Sequence, residues 1–223
     1  MRSLLLIVAL SIYGATAQIC CSPPQFQTVI TTDDYVETLN TKIMSQIQIR
    51  LYYDYSNQRI RVDESPAGIK TTVIIDFNTH KTYIITNGQC LTTTIEAPFN
   101  PTCIPGNALY SGILQLGGPD GIIAKSYHFS TADSTIQTDY IISENCIPVL
   151  EVSKVSLTNP TTETTFVTLT YGNTTIGIQD PSVFDIPAVC SQHASMKLPG
   201  FDFSNHLRRK RRASFYKSLT SNQ

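Results

Sequence analysis

Six cysteines downstream of an export leader constrain this chain more than any other feature. The first residues, MRSLLLIVALSIYGATAQ, hold one Arg, an apolar run from Leu4 to Ile12 and the small-x-small triplet Ala15-Thr16-Ala17, the pattern of a signal peptide cut after residue 17. An apolar run of roughly 9 to 12 residues falls short of the roughly 20 that span a bilayer. The expected product is a secreted or lumenal protein beginning at Gln18. In that compartment the even set Cys20, Cys21, Cys90, Cys103, Cys146 and Cys190 reads as a disulfide framework. Adjacent cysteines cannot easily bridge each other, so Cys20 and Cys21 should reach different partners, and spacing alone leaves many connectivities open. There is no C-x-x-C, and His80, His128, His193 and His206 follow no zinc-binding spacing.

The remaining roughly 200 residues are within the range of a single domain and can bury a core of their own. Charged residues make up only 15% of the chain and the formal net charge is −1. A near-neutral chain lacks the field that gathers phosphate backbones, so nucleic acid is not an expected partner. Thr, Ile and Tyr are abundant, which favours strands. From Ile43 the residues Ile47, Ile49, Leu51 and Tyr53 alternate with Gln46, Gln48, Arg50 and Tyr52, a half-buried strand. Ser56-Asn57 interrupts the pattern and Ile60 and Val62 resume it, which predicts a hairpin through Glu64. A second hairpin is predicted from TTVIIDF, a turn at Asn78 to Lys81, and TYIIT ending at Asn87-Gly88. Further strands are expected at 91–95, 122–129, 136–142, 149–157 and 164–171. Eight or more strands on short turns imply an antiparallel sandwich or barrel. Residues 98–121, rich in Pro and Gly, read as a large excursion or lip. A flexible tail is expected from about residue 198 onward.

Motifs for catalysis are scarce. There is no G-x-S-x-G elbow, and a full set of disulfides leaves no free thiol. Gly117-Gly118-Pro119-Asp120-Gly121 lacks the Lys-Ser/Thr of a phosphate loop and reads as a turn. The acid pairs Asp33-Asp34 and Asp63-Glu64 offer oxygen donors but no EF-hand register, and such pairs usually face solvent. Asn173-Thr174-Thr175 is the one sequon of the chain after its leader, a candidate glycosylation site. The run Arg208-Arg209-Lys210-Arg211-Arg212 has three readings: a solvated basic tail, a candidate site for a furin-type convertase, or a patch for an anionic membrane surface.

Several stretches together resemble one family. Tyr53-Asp54 is followed by Gln58-Arg59-Ile60-Arg61-Val62, then Gly88-Gln89-Cys90, then Asn145-Cys146-Ile147-Pro148-Val149, then Asp180-Pro181-Ser182-Val183-Phe184 with Pro187 and Cys190. With the start Cys21-Ser22-Pro23-Pro24, this order resembles the ependymin-related proteins. The resemblance implies an all-β fold of two stacked, strongly curved antiparallel sheets, similar to bacterial lipoprotein carriers, around an apolar pocket. It implies a secreted or lysosomal glycoprotein that forms homodimers and binds lipid and calcium. It also implies disulfides Cys21 to Cys146 and Cys90 to Cys190. Cys20 and Cys103 lie outside the family pattern and are expected to pair with each other, with an exchange of roles between Cys20 and Cys21 left open. The basic tail is outside the pattern too.

The function expected is therefore a secreted, non-enzymatic module holding a lipid or other apolar ligand, with Ile47, Ile49, Leu51, Ile75, Phe77 and Ile84 as candidates for its pocket or core. The alternative is an extracellular matrix or adhesion glycoprotein without a small ligand. No cofactor is expected beyond the calcium that the resemblance suggests, and its ligands are not identifiable.

Overall fold

The computed structural model describes residues 20–38, 41–157 and 163–192. The segments expected as leader and tail, and with the latter Arg208 to Arg212, lie outside them. Eleven strands follow one another: β1 (Gln25–Glu37), β2 (Lys42–Asp54), β3 (Arg59–Glu64), β4 (Thr71–Asp76), β5 (Lys81–Thr86), β6 (Gln89–Thr94), β7 (Leu109–Leu116), β8 (Ile122–Ser130), β9 (Ile136–Ser143), β10 (Pro148–Leu157) and β11 (Glu163–Ile176). All join one antiparallel sheet in the order β6-β5-β4-β3-β2-β1-β11-β10-β9-β8-β7. The chain is thus all-β, and its two layers are two wings of one open sheet, hinged where β1 pairs with β11. Short hairpins build each wing, and the described turns supply what a reversal needs. At the β2–β3 turn Gln58 takes a positive φ, and Asn57 N–H and Nδ2 donate to the Asp54 carboxylate.

β1 carries no prediction from the sequence, because its apolar alternation at Phe26 and Ile30 dissolves into Thr and the Asp33-Asp34 pair. It nevertheless occupies the centre, with thirteen partners on β2 and a nearly continuous register on β11. The predicted lip at 98–121 is corrected in part. Residues 95–108 are irregular, but Leu109–Leu116 is a regular strand paired to β8. The glycine cluster that suggested an excursion builds the β7–β8 turn instead. Gly117 and Gly118 adopt positive φ, and Gly121 N–H closes on the Gly118 carbonyl.

One face of the sheet is built by alternate residues in register. A row across the first wing reads Leu91, Ile84, Val73, Val62, Leu51 and Thr28. A row across the hinge reads Ile47, Thr32, Leu169, Glu151, Tyr140 and Tyr127. No described helix or second sheet covers this face, so curvature must. Tyr53 on β2 and Tyr140 on β9 interact electrostatically, although four strand spacings, roughly 19 Å, would separate their backbones in a flat sheet. The wings therefore curl toward each other. We call the concave side the inner face.

The opposite face of the first wing is crossed by the segment after β11. Gly177 N–H donates to Gln25 O, Asp180 caps a 3-10 turn at Pro181–Phe184, and a helical turn α1 (Val189–Gln192) ends against β6. Phe184 is buried, with the Arg59 guanidinium over its ring at 4.2 Å, and Ile74 is buried on this same side of β4.

Candidate functional site

The inner face begins with a continuous apolar core. Phe26, Ile30, Ile49, Leu51, Tyr53, Ile60, Val62, Val73, Ile75, Phe77, Ile84, Val167 and Leu169 are buried there. Of the residues predicted for a pocket or core, Ile49, Leu51, Ile75, Phe77 and Ile84 are buried in this cluster, and Ile47 packs at its border, half-buried. They touch the other side chains of this cluster. The irregular segment 95–108 supplies the plug. Phe99 stacks on Phe77 with centroids 4.4 Å apart and meets Tyr53 and Tyr55 edge-on. Thr102 N–H donates to the Tyr53 hydroxyl at 3.2 Å.

Three disulfides join the described residues, Cys20–Cys146, Cys21–Cys103 and Cys90–Cys190; the second ties this plug to the N-terminal segment and the third ties β6 to the segment on the opposite face. The pairing expected at the N-terminus, Cys21 with Cys146 and Cys20 with Cys103, is corrected to its exchange. The reason is strand geometry. Residues 20–22 run antiparallel to 102–104, with Ser22 N–H donating to Thr102 O and Ile104 N–H to Cys20 O. Cys21 lies directly opposite Cys103. Neighbouring residues of an extended chain point to opposite sides, so Cys20 faces away, toward the β9–β10 turn that carries Cys146.

Beyond the plug, the second wing has a smaller cluster of Ile104, Tyr127, Tyr140 and Ile142, with Phe129 half-buried beside it. Here the inner face opens. The register places Tyr110 opposite Tyr127, Ile113 opposite Lys125 and Gln115 opposite Ile123, which aligns Tyr110, Ile113 and Ile123 on the inner side. They are 55%, 66% and 48% exposed. Isolated apolar side chains at the surface need no explanation, but neighbours in register beside a buried cluster form a patch. Tyr110 and Tyr127 rings touch at 5.5 Å. Nothing in the Pro- and Gly-rich sequence of 98–121 announced this rim.

Between plug and rim lies a polar seam. Glu151 is 6% exposed. Ser153 Oγ donates to its Oε1 at 3.1 Å, and the Ser153 and Thr138 hydroxyls are 2.9 Å apart. Burial pushes the Glu151 carboxyl up to about 7 against the Ser153 hydrogen bond. Burial, and then the charge of Glu151, raises the Tyr140 phenol, which hydrogen-bonds Ser22 and Tyr171. Burial also raises the Tyr171 phenol well above its ordinary value. Asp54, fully buried, is the opposite case. Burial raises it, but Gln25, Asn57 and Arg59 all donate to it and together bring it below the usual range.

Neither acid pair makes a calcium site. Asp33 and Asp34 are consecutive on a strand and point to opposite faces, and Gln46 Nε2 already donates to Asp33. Asp63 accepts from Arg61 and Thr72, while Glu64 is buried on the other face. Among the described residues no three His, Cys, Asp or Glu converge. A cleft of about 390 Å³ beside the hairpin turns is lined by Ser56, Asn57, Arg59, Asp76 and Asn78 and is polar, unsuited to an acyl chain. The His128 Nδ1 to Asp139 pair, 2.9 Å apart and exposed, joins in-register neighbours on the outer face. Asn173 is exposed with φ 52°, at the register shift between β1 and β11. This bulge thrusts it out of the ladder, while Thr28 Oγ1 donates to Gly172 O beneath.

A family model for ependymin matches residues 65–190, more than half of the chain. The chain belongs to the ependymin family. A curated relative, ependymin-related protein 1 of Haliotis asinina, is 26% identical over 206 residues, covering 84% of this chain and all of the relative. Among solved structures, this ependymin-family chain is similar to an uncharacterized conserved protein from Thermus thermophilus, with TM-score 0.48, 10% identity, and 74% and 86% of the two chains covered. It is more distantly similar to a DUF1329 family protein from Desulfovibrio piger, with TM-score 0.31, 7% identity, and 73% and 90% covered. The three disulfides fit an extracellular protein, and no described helix is long and apolar enough to cross a membrane.

Proposed function

We propose that this ependymin-family chain is a secreted, non-enzymatic binding protein that takes an apolar ligand, a fatty acyl group of a lipid, at the rim of its inner face. The observation that carries this reading is the exposure of Tyr110, Ile113 and Ile123 in register beside the buried Tyr127 and Ile142. An acyl chain laid along these side chains removes apolar surface from water, and each methylene buried contributes roughly 0.8 kcal/mol. Mass spectrometry of an organic extract of the native protein should find co-purified lipid. A fluorescent fatty acid should bind the delipidated protein, with affinity reduced tenfold or more by I113E combined with I123E. A lipid-free native sample that also fails to bind the probe would overturn this reading.

The edge of β7 supports homodimerisation as part of the same reading. Among the described residues β7 ends the sheet without a further strand, and Leu109 and Leu114, 68% and 38% exposed, line it on the outer side. Free edges bearing apolar side chains invite pairing with another chain. Sedimentation should show a dimer that L114K converts to monomer.

A further inference from the structure

Among the described residues, every lysine and arginine but one either faces water or stands beside an acid. Arg59 and Arg61 are half-buried, and each is paired, with Asp54 and with Asp63. Lys42 joins Glu37. Arg50, Lys70, Lys81 and Lys154 are exposed. Lys125 on β8 is the exception. It is half-buried, and among the described residues its ammonium has neither a carboxylate nor a hydrogen-bond partner. The register sets apolar side chains around it. Across the sheet it is flanked by Ile113 of β7 and Ile142 of β9, and along its own strand the same side carries Ile123 and Tyr127. Tyr127 and Ile142 belong to the buried cluster of this wing, while Ile113 and Ile123 form the exposed rim. Glu151 shares this side but stands two strands away on β10. A lysine lays its methylenes along such a surface while its ammonium keeps to water. The result is one positive charge set within an apolar patch on the concave side.

We infer, on the binding reading given above, that Lys125 receives the anionic head of an amphiphile, a carboxylate or a phosphate, whose acyl chain lies on the rim of Tyr110, Ile113 and Ile123. An amphiphile is apolar along its length and charged at one end, and this patch has the complementary layout. A chain laid on Ile113 and Ile123 displaces water from beside the ammonium, and an ammonium that loses water needs an anion in its place. An ester or an alcohol there leaves the charge uncompensated, so the site selects against neutral lipids as well as for anionic ones. Lysine presents a compact charge with three rotatable donors, which suits a carboxylate and a phosphate alike. Two sources share that chemistry, a free fatty acid and an anionic phospholipid.

The delipidated, disulfide-bonded protein can be titrated with cis-parinaric acid and with its methyl ester, at about pH 8.5 so that the free acid is ionised. The acid should bind on the order of tenfold more tightly than the ester, by a margin that shrinks as salt is raised. K125M, which keeps an apolar stem, should weaken the acid on the order of tenfold and leave the ester unchanged, whereas K125R should retain the margin. Equal affinities of acid and ester in the unaltered protein, or an undiminished margin in K125M, overturn the role of Lys125, and binding of the ester then leaves the apolar rim standing. Binding of neither probe overturns both. Should K125M fail to fold, acid against ester in the unaltered protein decides alone. Displacement of the bound acid by oleate but not by lysophosphatidylglycerol supports the assignment with a free fatty acid as the source. The reverse supports it with a phospholipid, and displacement by neither overturns it.

Discussion

At the scale of single residues, two buried carboxyls give stability opposite dependences on pH. Asp54 titrates below its unfolded value of 3.8, so its contribution is present above about pH 4 and is lost as acid protonates it. Glu151 is raised from 4.5 to about 7. Its cost is absent below about pH 4.5 and complete above about pH 7, at most about 3 kcal/mol. Melting temperature against pH should therefore peak in mildly acidic solution, with D54N flattening the acidic limb and E151Q the neutral one. Phe99 is the other residue on which much rests. It is 6% exposed and touches three rings, so Phe99→Ala should cost about 3–5 kcal/mol in urea denaturation, and a loss under about 1 kcal/mol would show that the plug contributes little.

At the scale of elements, the hairpins β2–β3 and β4–β5 were legible because strict alternation on either side of polar turns leaves one interpretation. β1 was not, since Thr and Asp at alternate positions hide a strand whose partners on both sides, rather than its own side chains, fix it in place. β7 was hidden by its flanking Pro and Gly, which act on the turns and leave the strand itself intact. The core was legible as a set of residues, while the rim was not, because exposure at a sheet edge depends on which strand comes last. Glu151 had a signal that went unused. In Pro148–Leu157 the set Leu150, Val152, Lys154 contains a Lys that marks it as outward, which leaves Glu151 and Ser153 inside. The turn after β7 offers a sharp test. A Cβ on Gly121 would stand 1.8 Å from Leu116 O, so G121A should disrupt this hairpin, seen as loss of exchange protection confined to β7 and β8, and not the first wing.

For the molecule as a whole, curvature and covalent linkage act together. A single open sheet has no second layer to press against, so its concave side depends on the irregular plug and on the sulfur bonds that keep it seated. The disulfides span 126, 82 and 100 residues, and each restricts the unfolded chain by an amount worth about 4–5 kcal/mol in the chain-entropy view. The replacement C21S/C103S should lower the melting temperature and raise exchange at Ser22 and Ile104, whereas C90S/C190S should instead release the outer-face segment that carries Phe184. Removal of the Asn173 side chain, on its outward bulge, should leave the fold unchanged and reduce the mass of a glycosylated product on a gel.

The three bridges also overlap along the chain. The first spans residues 20 to 146 and the last 90 to 190, so every peptide bond from Cys20 to Cys190 lies inside at least one ring. A protease that nicks any one of them leaves both fragments tethered, migrating as one species until a reductant separates them. A cut at Arg208 to Arg212 falls outside every ring, and no disulfide would hold the peptide beyond it.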